Sequence, residues 1–212
     1  MPKSEIFNMD CLEGMKQYPD KHFDLAIVDP PYGINVNMNM GKKKGEKARY
    51  KKKKWDSAIP DKSYFDELIR VSKNQIIFGG NYFCHLLKPS MGWIFWDKHV
   101  PMGVSFSDGE LAWTSFDMAL RKISVPYCGF IGLEGKRIHP TEKPIKLYKE
   151  IIHLYRNLIG GGYILDTHLG SGSSRIAAYD MGFDFTGYET DVEYFDASEK
   201  RFQQFKAQTK LF

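Results

Sequence analysis

The tetrapeptide Asp29-Pro30-Pro31-Tyr32 is where residue types and order in this sequence best suit a reaction. It follows the apolar run Leu25-Ala26-Ile27-Val28. Two successive prolines cannot continue a hydrogen-bonded ladder, so the strand must end there with its last residues held extended. A carboxylate, a free carbonyl and an aromatic ring are thereby set at the C-terminal edge of a sheet, where open α/β folds bind ligands. That set suits transfer to the exocyclic amine of a nucleobase, a poor nucleophile because its lone pair is delocalised into the ring. Asp29 and the Pro30 carbonyl can each accept one N–H, drawing the nitrogen towards sp³ geometry and aiming its lone pair at an electrophilic methyl. Tyr32 offers a stacking face. Neither a covalent intermediate nor a metal is required. The plainer alternative is a strand-ending Asp-Pro turn without a catalytic part.

A second pattern lies far along the chain. The run Tyr163-Ile164-Leu165-Asp166 enters the turn Gly170-Ser171-Gly172-Ser173, which opens a helix, and a later strand ends at Tyr188-Glu189, 19 positions beyond Gly170. Glycines let backbone N–H groups approach a ligand, and a carboxylate at the tip of the second strand can accept both hydroxyls of a ribose. By this logic the segment is a nucleoside-cofactor site. The strict G-x-G-x-x-G pattern is not met, because Arg175 stands in its third slot. A tight turn followed by a solvated glutamate is the alternative.

The elements that must position these groups alternate between short apolar runs and amphipathic stretches, which predicts an α/β fold: a single, doubly wound, mostly parallel sheet with helices on both faces. Strands are expected at 6–8, 25–28, 75–78, 93–96, 111–115, 119–123, 163–165 and 185–188, several of them continuous apolar runs of the kind found in buried parallel strands. Helices are expected over 63–73, with Ser63 as N-cap, over 144–159, stopped by three glycines, and over 191–208, acidic at its start and basic at its end. No repeat and no Pro/Ser-rich linker interrupts the 212 residues, so residues 1–212 read as one domain.

Composition narrows the function classes. With 42% hydrophobic and 26% charged residues, a mean hydropathy of −0.42 and no apolar run near 18 residues, no transmembrane helix is expected. The start, Met-Pro-Lys-Ser-Glu-Ile-Phe, lacks an apolar signal region, so a cytoplasmic protein without membrane contact is expected. Cys11, Cys84 and Cys128 lie far apart and support neither a disulfide framework nor a zinc site. The net charge of +4 is concentrated: residues 41–56 hold eight lysines and one arginine against Glu46 and Asp56, a local +7 that leaves the remainder at −3. Residues 34–56 have no sustained helical period and read as a mobile basic loop.

Taken together these motifs resemble one known family, the β-class amino DNA methyltransferases, and within it the small orphan adenine-N6 enzymes of phages and prophages. The blocks that carry the resemblance are Asn8-Met9-Asp10-Cys11-Leu12, Asp29-Pro30-Pro31-Tyr32, Ile77-Phe78-Gly79-Gly80-Asn81-Tyr82, Trp93-Ile94-Phe95-Trp96-Asp97-Lys98, Glu110-Leu111-Ala112-Trp113-Thr114, His139-Pro140-Thr141-Glu142-Lys143-Pro144 and the glycine turn. They span nearly the whole chain. The catalytic motif precedes the cofactor turn, so the chain looks like a circular permutation of the Rossmann-like methyltransferase sheet. Enzymes acting on protein glutamine or ribosomal RNA more often have the opposite order.

The resemblance implies S-adenosylmethionine as cofactor and DNA as partner. It implies that Asp29, with Pro30 and Pro31, holds the target amine and that Tyr32 stacks on a flipped base. Asp166, Gly170 and Gly172, with Ser171 and Ser173 of the same turn, would surround the methionine end of the cofactor. Glu189 would bind its ribose, Asp10 and Cys11 its adenine, and Thr141, Lys143 and Pro144 would close over the methionine. His139 is equally a helix-entry residue or a ligand contact. The family's usual Asp-Pro-Phe turn reads Asp166-Thr167-His168 here, and only about fifteen residues separate Ser124 from His139, where larger members insert a target-recognition region. No separate recognition domain is expected. Because a base inside a duplex is out of reach, the target must be extruded or single-stranded. Lys42, Lys43, Lys44, Lys47, Arg49, Lys51, Lys52, Lys53 and Lys54 are then placed to grip phosphates beside it, with Tyr50 and Trp55 to stack or wedge. The alternative is a solvated lysine run. Homodimers are common in the family. Cytosine-N4 methylation, or a non-catalytic subunit binding cofactor and DNA, are the competing functions; N4 enzymes more often carry Ser at the position of Asp29.

Overall fold

The computed structural model describes residues 1–36, 53–104, 106–127, 137–160 and 162–209. Eight strands form one sheet: β1 (Ser4–Phe7), β2 (Phe23–Val28), β3 (Ser72–Phe78), β4 (Trp93–Asp97), β5 (Gly109–Thr114), β6 (Arg121–Ser124), β7 (Tyr163–Asp166) and β8 (Asp184–Tyr188). Their spatial order is β1-β8-β7-β2-β3-β5-β4-β6. All adjacent pairs run parallel except those of β5, which is antiparallel to both β3 and β4. Among the described residues five α-helices accompany the sheet: α1 (Cys11–Met15), α2 (Lys62–Val71), α3 (Ile145–Tyr155), α4 (Ser173–Asp180) and α5 (Val192–Thr209). The mostly parallel α/β sheet expected from the sequence is present.

β2 is the central strand and every one of its six residues is buried. Side chains alternate across a strand, so Leu25 and Ile27 join Leu147, Ile151 and Ile152 of α3 and Ala177 of α4 on one face, while Ala26 and Val28 join Tyr64, Phe65 and Leu68 of α2 on the other. A strand sandwiched this way must be apolar throughout, which is why it reads as a continuous run rather than an alternating one.

The connections fix where a ligand can enter. From β2 the chain passes through α2 to β3 on one side, and from β7 through α4 to β8 on the other. β2 and β7 are themselves parallel neighbours, with Leu25 opposite Ile164 and Ala26 opposite Leu165. The winding direction therefore reverses between them, and the crevice beyond their C-terminal ends is the natural binding place. Asp29 follows one of these strands and Asp166 ends the other.

Several local expectations shift. The helix expected at 63–73 starts earlier, because Asp61 rather than Ser63 is its N-cap; the Asp61 carboxylate accepts the Tyr64 N–H at 3.2 Å and the Ser63 hydroxyl at 2.6 Å. The strand expected at 119–123 lies at Arg121–Ser124. Helix α1 was not anticipated; Asp10 nucleates it by accepting the N–H groups of Leu12 and Glu13. Of the basic loop at 34–56, residues 37–52 fall outside the described residues, and so do 128–136, where larger relatives of the resembled family carry their insertion. Among the described residues no helix is long and apolar enough to cross a membrane.

Candidate active site

The end of β2 is held in place by one buried carboxylate. Asp56 accepts the N–H groups of Tyr32 at 2.8 Å and Gly33 at 3.0 Å on one oxygen and that of Val36 at 2.8 Å on the other. Asp56 lies beyond residues 37–52, so it joins both ends of the basic segment to the Asp-Pro-Pro-Tyr turn. The Tyr32 hydroxyl donates to Asp29 Oδ1 at 2.7 Å. Its ring stacks on Tyr82, centroids 4.9 Å apart and planes 15° from parallel. Gly79, at φ +68°, makes room for it: a Cβ there would stand 2.2 Å from Tyr32 Cε1.

The second oxygen of Asp29 is occupied by a residue read from sequence as a cofactor contact. Lys143, only 5% exposed, brings its ammonium 2.5 Å from Asp29 Oδ2 and 3.2 Å from Glu110 Oε2. Burial works against this charge, but the two carboxylates outweigh it and hold the lysine above its usual pKa. Burial likewise opposes ionisation of Glu110, yet Lys143 and Lys98 bring it down to about 2. The structure thus places Lys143 at the Asp29 carboxylate. Glu110 and Lys98 belong to the same wall and were not singled out from sequence. The available signal was a glutamate inside β5, directly opposite Trp96 of β4, with a lysine just past the end of β4. A charge in a buried strand requires a partner.

At the end of β7 the glycine turn closes on β8. Glu189 accepts the Gly170 N–H at 2.9 Å on Oε2 and the Asp191 N–H at 2.8 Å on Oε1. Its own N–H is held by the Phe7 carbonyl, and Asn8 Nδ2 donates to the carbonyls of Glu189 and Thr190, so β1 braces the tip of β8. Gly170 and Gly172 adopt φ of +51° and +73°. Arg175 does not disturb the turn. Its guanidinium is buried against the ring of Phe202, 3.7 Å from the centroid, and bonds Ser4 and Glu199. In place of a close helix-to-strand approach, this slot ties α4 to β1 and α5. His168 lies edge-on to Tyr64 and shares a hydrogen bond with Thr167 Oγ1 at 3.0 Å; burial lowers it to about 4, so it is neutral at pH 7. His139, against Tyr194 and Trp55, is lowered by burial to about 3.

These two constellations open onto one cleft of about 1640 Å³. Asp29, Pro30, Pro31 and Tyr32 line it, and so do Asp10, Cys11, Thr141, Lys143, Gly170, Ser171 and Glu189. Four expected cofactor contacts do not. Asp166 is turned inward onto the Ser174 hydroxyl and the His168 N–H. Gly172 caps α4, Ser173 shares a hydrogen bond with Ser171 and accepts from Arg201, and Pro144 caps α3. They support the lining from behind. Of the expected DNA contacts, Lys53 and Lys54 stand at the cleft, whereas Lys42, Lys43, Lys44, Lys47, Arg49, Lys51 and Lys52 lie outside the described residues. Lys53 is also engaged within the chain, 2.5 Å from Asp191, 3.0 Å from Glu193 and 4.2 Å above the Tyr194 ring.

Comparison with known proteins shows what the chain is similar to. A family model for DNA methylase, covering N6 and N4 methyltransferases, matches residues 107–200. The Type II methyltransferase M.HinfI of Haemophilus influenzae is 24% identical over 250 aligned positions, covering 95% of this chain and 68% of that protein. The crystal structure of the M1.HpyAVI–SAM complex superposes with a TM-score of 0.59 at 21% identity, covering 95% of this chain and all of the other. The cytosine-N4-specific PvuII DNA methyltransferase does so at 0.60 and 14%, covering 98% and 92%. The chain shares its fold with these DNA methyltransferase structures. These similarities agree with the motif resemblance to DNA methyltransferases and do not distinguish a phage or prophage type; Asp29 and Glu189 lie beyond strand ends that face one crevice.

Proposed function

We propose that this protein transfers a methyl group from S-adenosylmethionine to the exocyclic N6 amine of adenine in DNA, acting on a base turned out of the helix. The observation that carries this reading is the convergence of two motifs, more than a hundred residues apart, on one cleft. The cleft exceeds the roughly 300–1,000 Å³ of an ordinary small-molecule site, which leaves room for a nucleobase beside a cofactor.

The residues present fit that cofactor. Each oxygen of Glu189 accepts one backbone N–H and keeps a lone pair for a ribose hydroxyl. Gly170, without a side chain, lets the backbone come close, and the neutral His168 ring forms part of the wall. When bound, S-adenosylmethionine supplies an electrophilic methyl on a sulfonium. Everything else falls to the chain. Asp29 and the Pro30 carbonyl accept the N–H groups of the amine and localise its lone pair, Tyr32 steadies Asp29 through its hydroxyl, and the proton leaving the nitrogen passes towards the Asp29 carboxylate.

DNA enters this reading through the basic segment, whose two described ends Asp56 joins at the cleft. If about six of its cations meet phosphates, affinity falls with log salt at a slope of roughly −5. Asp29 favours N6 over cytosine-N4 chemistry. The test is incubation of plasmid with labelled S-adenosylmethionine, followed by nucleoside mass spectrometry. Label in N6-methyladenine is expected; label in N4-methylcytosine replaces the substrate assignment, and no label supports a non-catalytic subunit.

A further inference from the structure

The partly buried wall beside Asp29 holds four charges, Asp29, Lys143, Glu110 and Lys98, two of each sign. Their arrangement is uneven. Lys143 sits on Asp29 Oδ2 at 2.5 Å, while Glu110 Oε2, 3.2 Å from the same ammonium, is buried and has no aligned hydrogen bond. Glu110 Oε1 is held by Lys98. The wall thus contains one carboxylate oxygen hydrogen-bonded to the ammonium and, beside it, a second that the same ammonium meets only as a longer ion pair. The ring of Phe78 lies under the ammonium, 4.6 Å from its centroid, so a short displacement keeps a favourable surface beneath the charge.

Resting on the methyl-transfer reading, this geometry meets a difficulty. The amine must reach Asp29 while Tyr32 and Lys143 hold its two oxygens, and an ammonium fixed there opposes the positive charge that nitrogen gains during transfer. We propose that Lys143 is a positioning residue shared between two carboxylates: it rests on Asp29 while the amine seat is empty and passes to Glu110 Oε2 as an amine N–H takes its place. Glu110 is the receiving counter-ion, and Lys98 keeps it oriented. Only hydrogen bonds are exchanged, and the net charge of the wall does not change. In low-dielectric surroundings, moving a charge between two ready partners is far less costly than exposing it unpaired.

The test compares single-turnover methyl transfer by the parent, Glu110→Gln, Lys143→Met and the double variant, with S-adenosylmethionine affinity measured without DNA as the control for folding. Glu110→Gln strands the ammonium on Asp29, so transfer slows by about tenfold or more while cofactor affinity stays within about twofold. Adding Lys143→Met to Glu110→Gln recovers a large part of that loss, the non-additivity of two coupled residues. A double variant no faster than Glu110→Gln, or Glu110→Gln at the parent rate, overturns the proposal. A second measurement does not depend on the reaction. In ¹⁵N-lysine-labelled protein without DNA, Asp29→Asn moves the Lys143 ammonium resonance to a Glu110-bound position, and Glu110→Gln in that background removes this state. An Lys143 resonance indifferent to Asp29→Asn rejects the shared-lysine arrangement even if the parent methylates DNA. A parent that transfers no methyl group rejects the function while the resonance still reports on the lysine.

Discussion

Asp29 and Asp166 stand at the ends of neighbouring strands, yet they meet different surroundings. Asp29 has an ammonium and a phenol and faces the cleft; Asp166 meets a hydroxyl and one backbone N–H and is buried, which pushes its carboxyl up to about 7. For Asp29→Ala, methyl transfer is expected to fall by at least about a hundredfold with cofactor affinity retained, measured by label incorporation and calorimetric titration. For Asp166 the pKa is higher folded than unfolded, so the folded protein holds a proton that the unfolded chain releases between about pH 4 and pH 7. Its contribution is full below pH 4 and is lost as pH rises to about 7. Asp166→Asn should flatten that decline and gain on the order of 1–3 kcal/mol over the parent at pH 8 relative to pH 5, read from urea denaturation at both pH values. At this scale the sequence was legible wherever chemistry follows from residue type, as at Asp29 and Glu189. It was not legible for Lys143, which meets a carboxylate 114 positions away, because no local pattern reports a long-range ion pair.

The turn after β2 depends on Asp56, which leaves three N–H groups without their acceptor when removed. Asp56→Ala is therefore expected to cost roughly 1–3 kcal/mol and to speed hydrogen exchange at Tyr32, Gly33 and Val36 above that of β2 itself. Unchanged exchange at these three amides would show that the prolines alone fix the turn. In the basic segment, neutralising Lys51, Lys52 and Lys54 should make the salt slope of DNA affinity shallower by about 3 and leave cofactor affinity alone. Lys53 is a different case, since a phosphate must compete with Asp191 and Glu193 for it. Strands were readable as elements because burial on both faces demands apolar runs. Helix starts were less so: Ser63 and Asp61 both suit an N-cap, and only geometry shows that the carboxylate takes the Tyr64 N–H. The short α1 carries too few residues for a helical period to show.

Across the molecule, alternation of strand and helix predicted the sheet but not its order, since nothing in a strand's own residues names its neighbour. β1 and β8 pair with Ser4 opposite Phe185, and the Phe7 ring stacks on Tyr188 just before Glu189. Removing residues 1–7 should lower the melting temperature by at least roughly 4–8 °C and weaken S-adenosylmethionine binding, because the tip of β8 loses its brace; calorimetry with and without cofactor would show both. The pairing of β1 with β8 also has a temporal side. At about 5–20 residues per second, a ribosome needs roughly 10–40 s after making the first strand to produce its partner. For most of that interval Asp29 has been made while Glu189 has not. On the proposed function, an interrupted translation product carries Asp29 without Glu189 and is expected to transfer no methyl group, so competence arrives only when β8 docks.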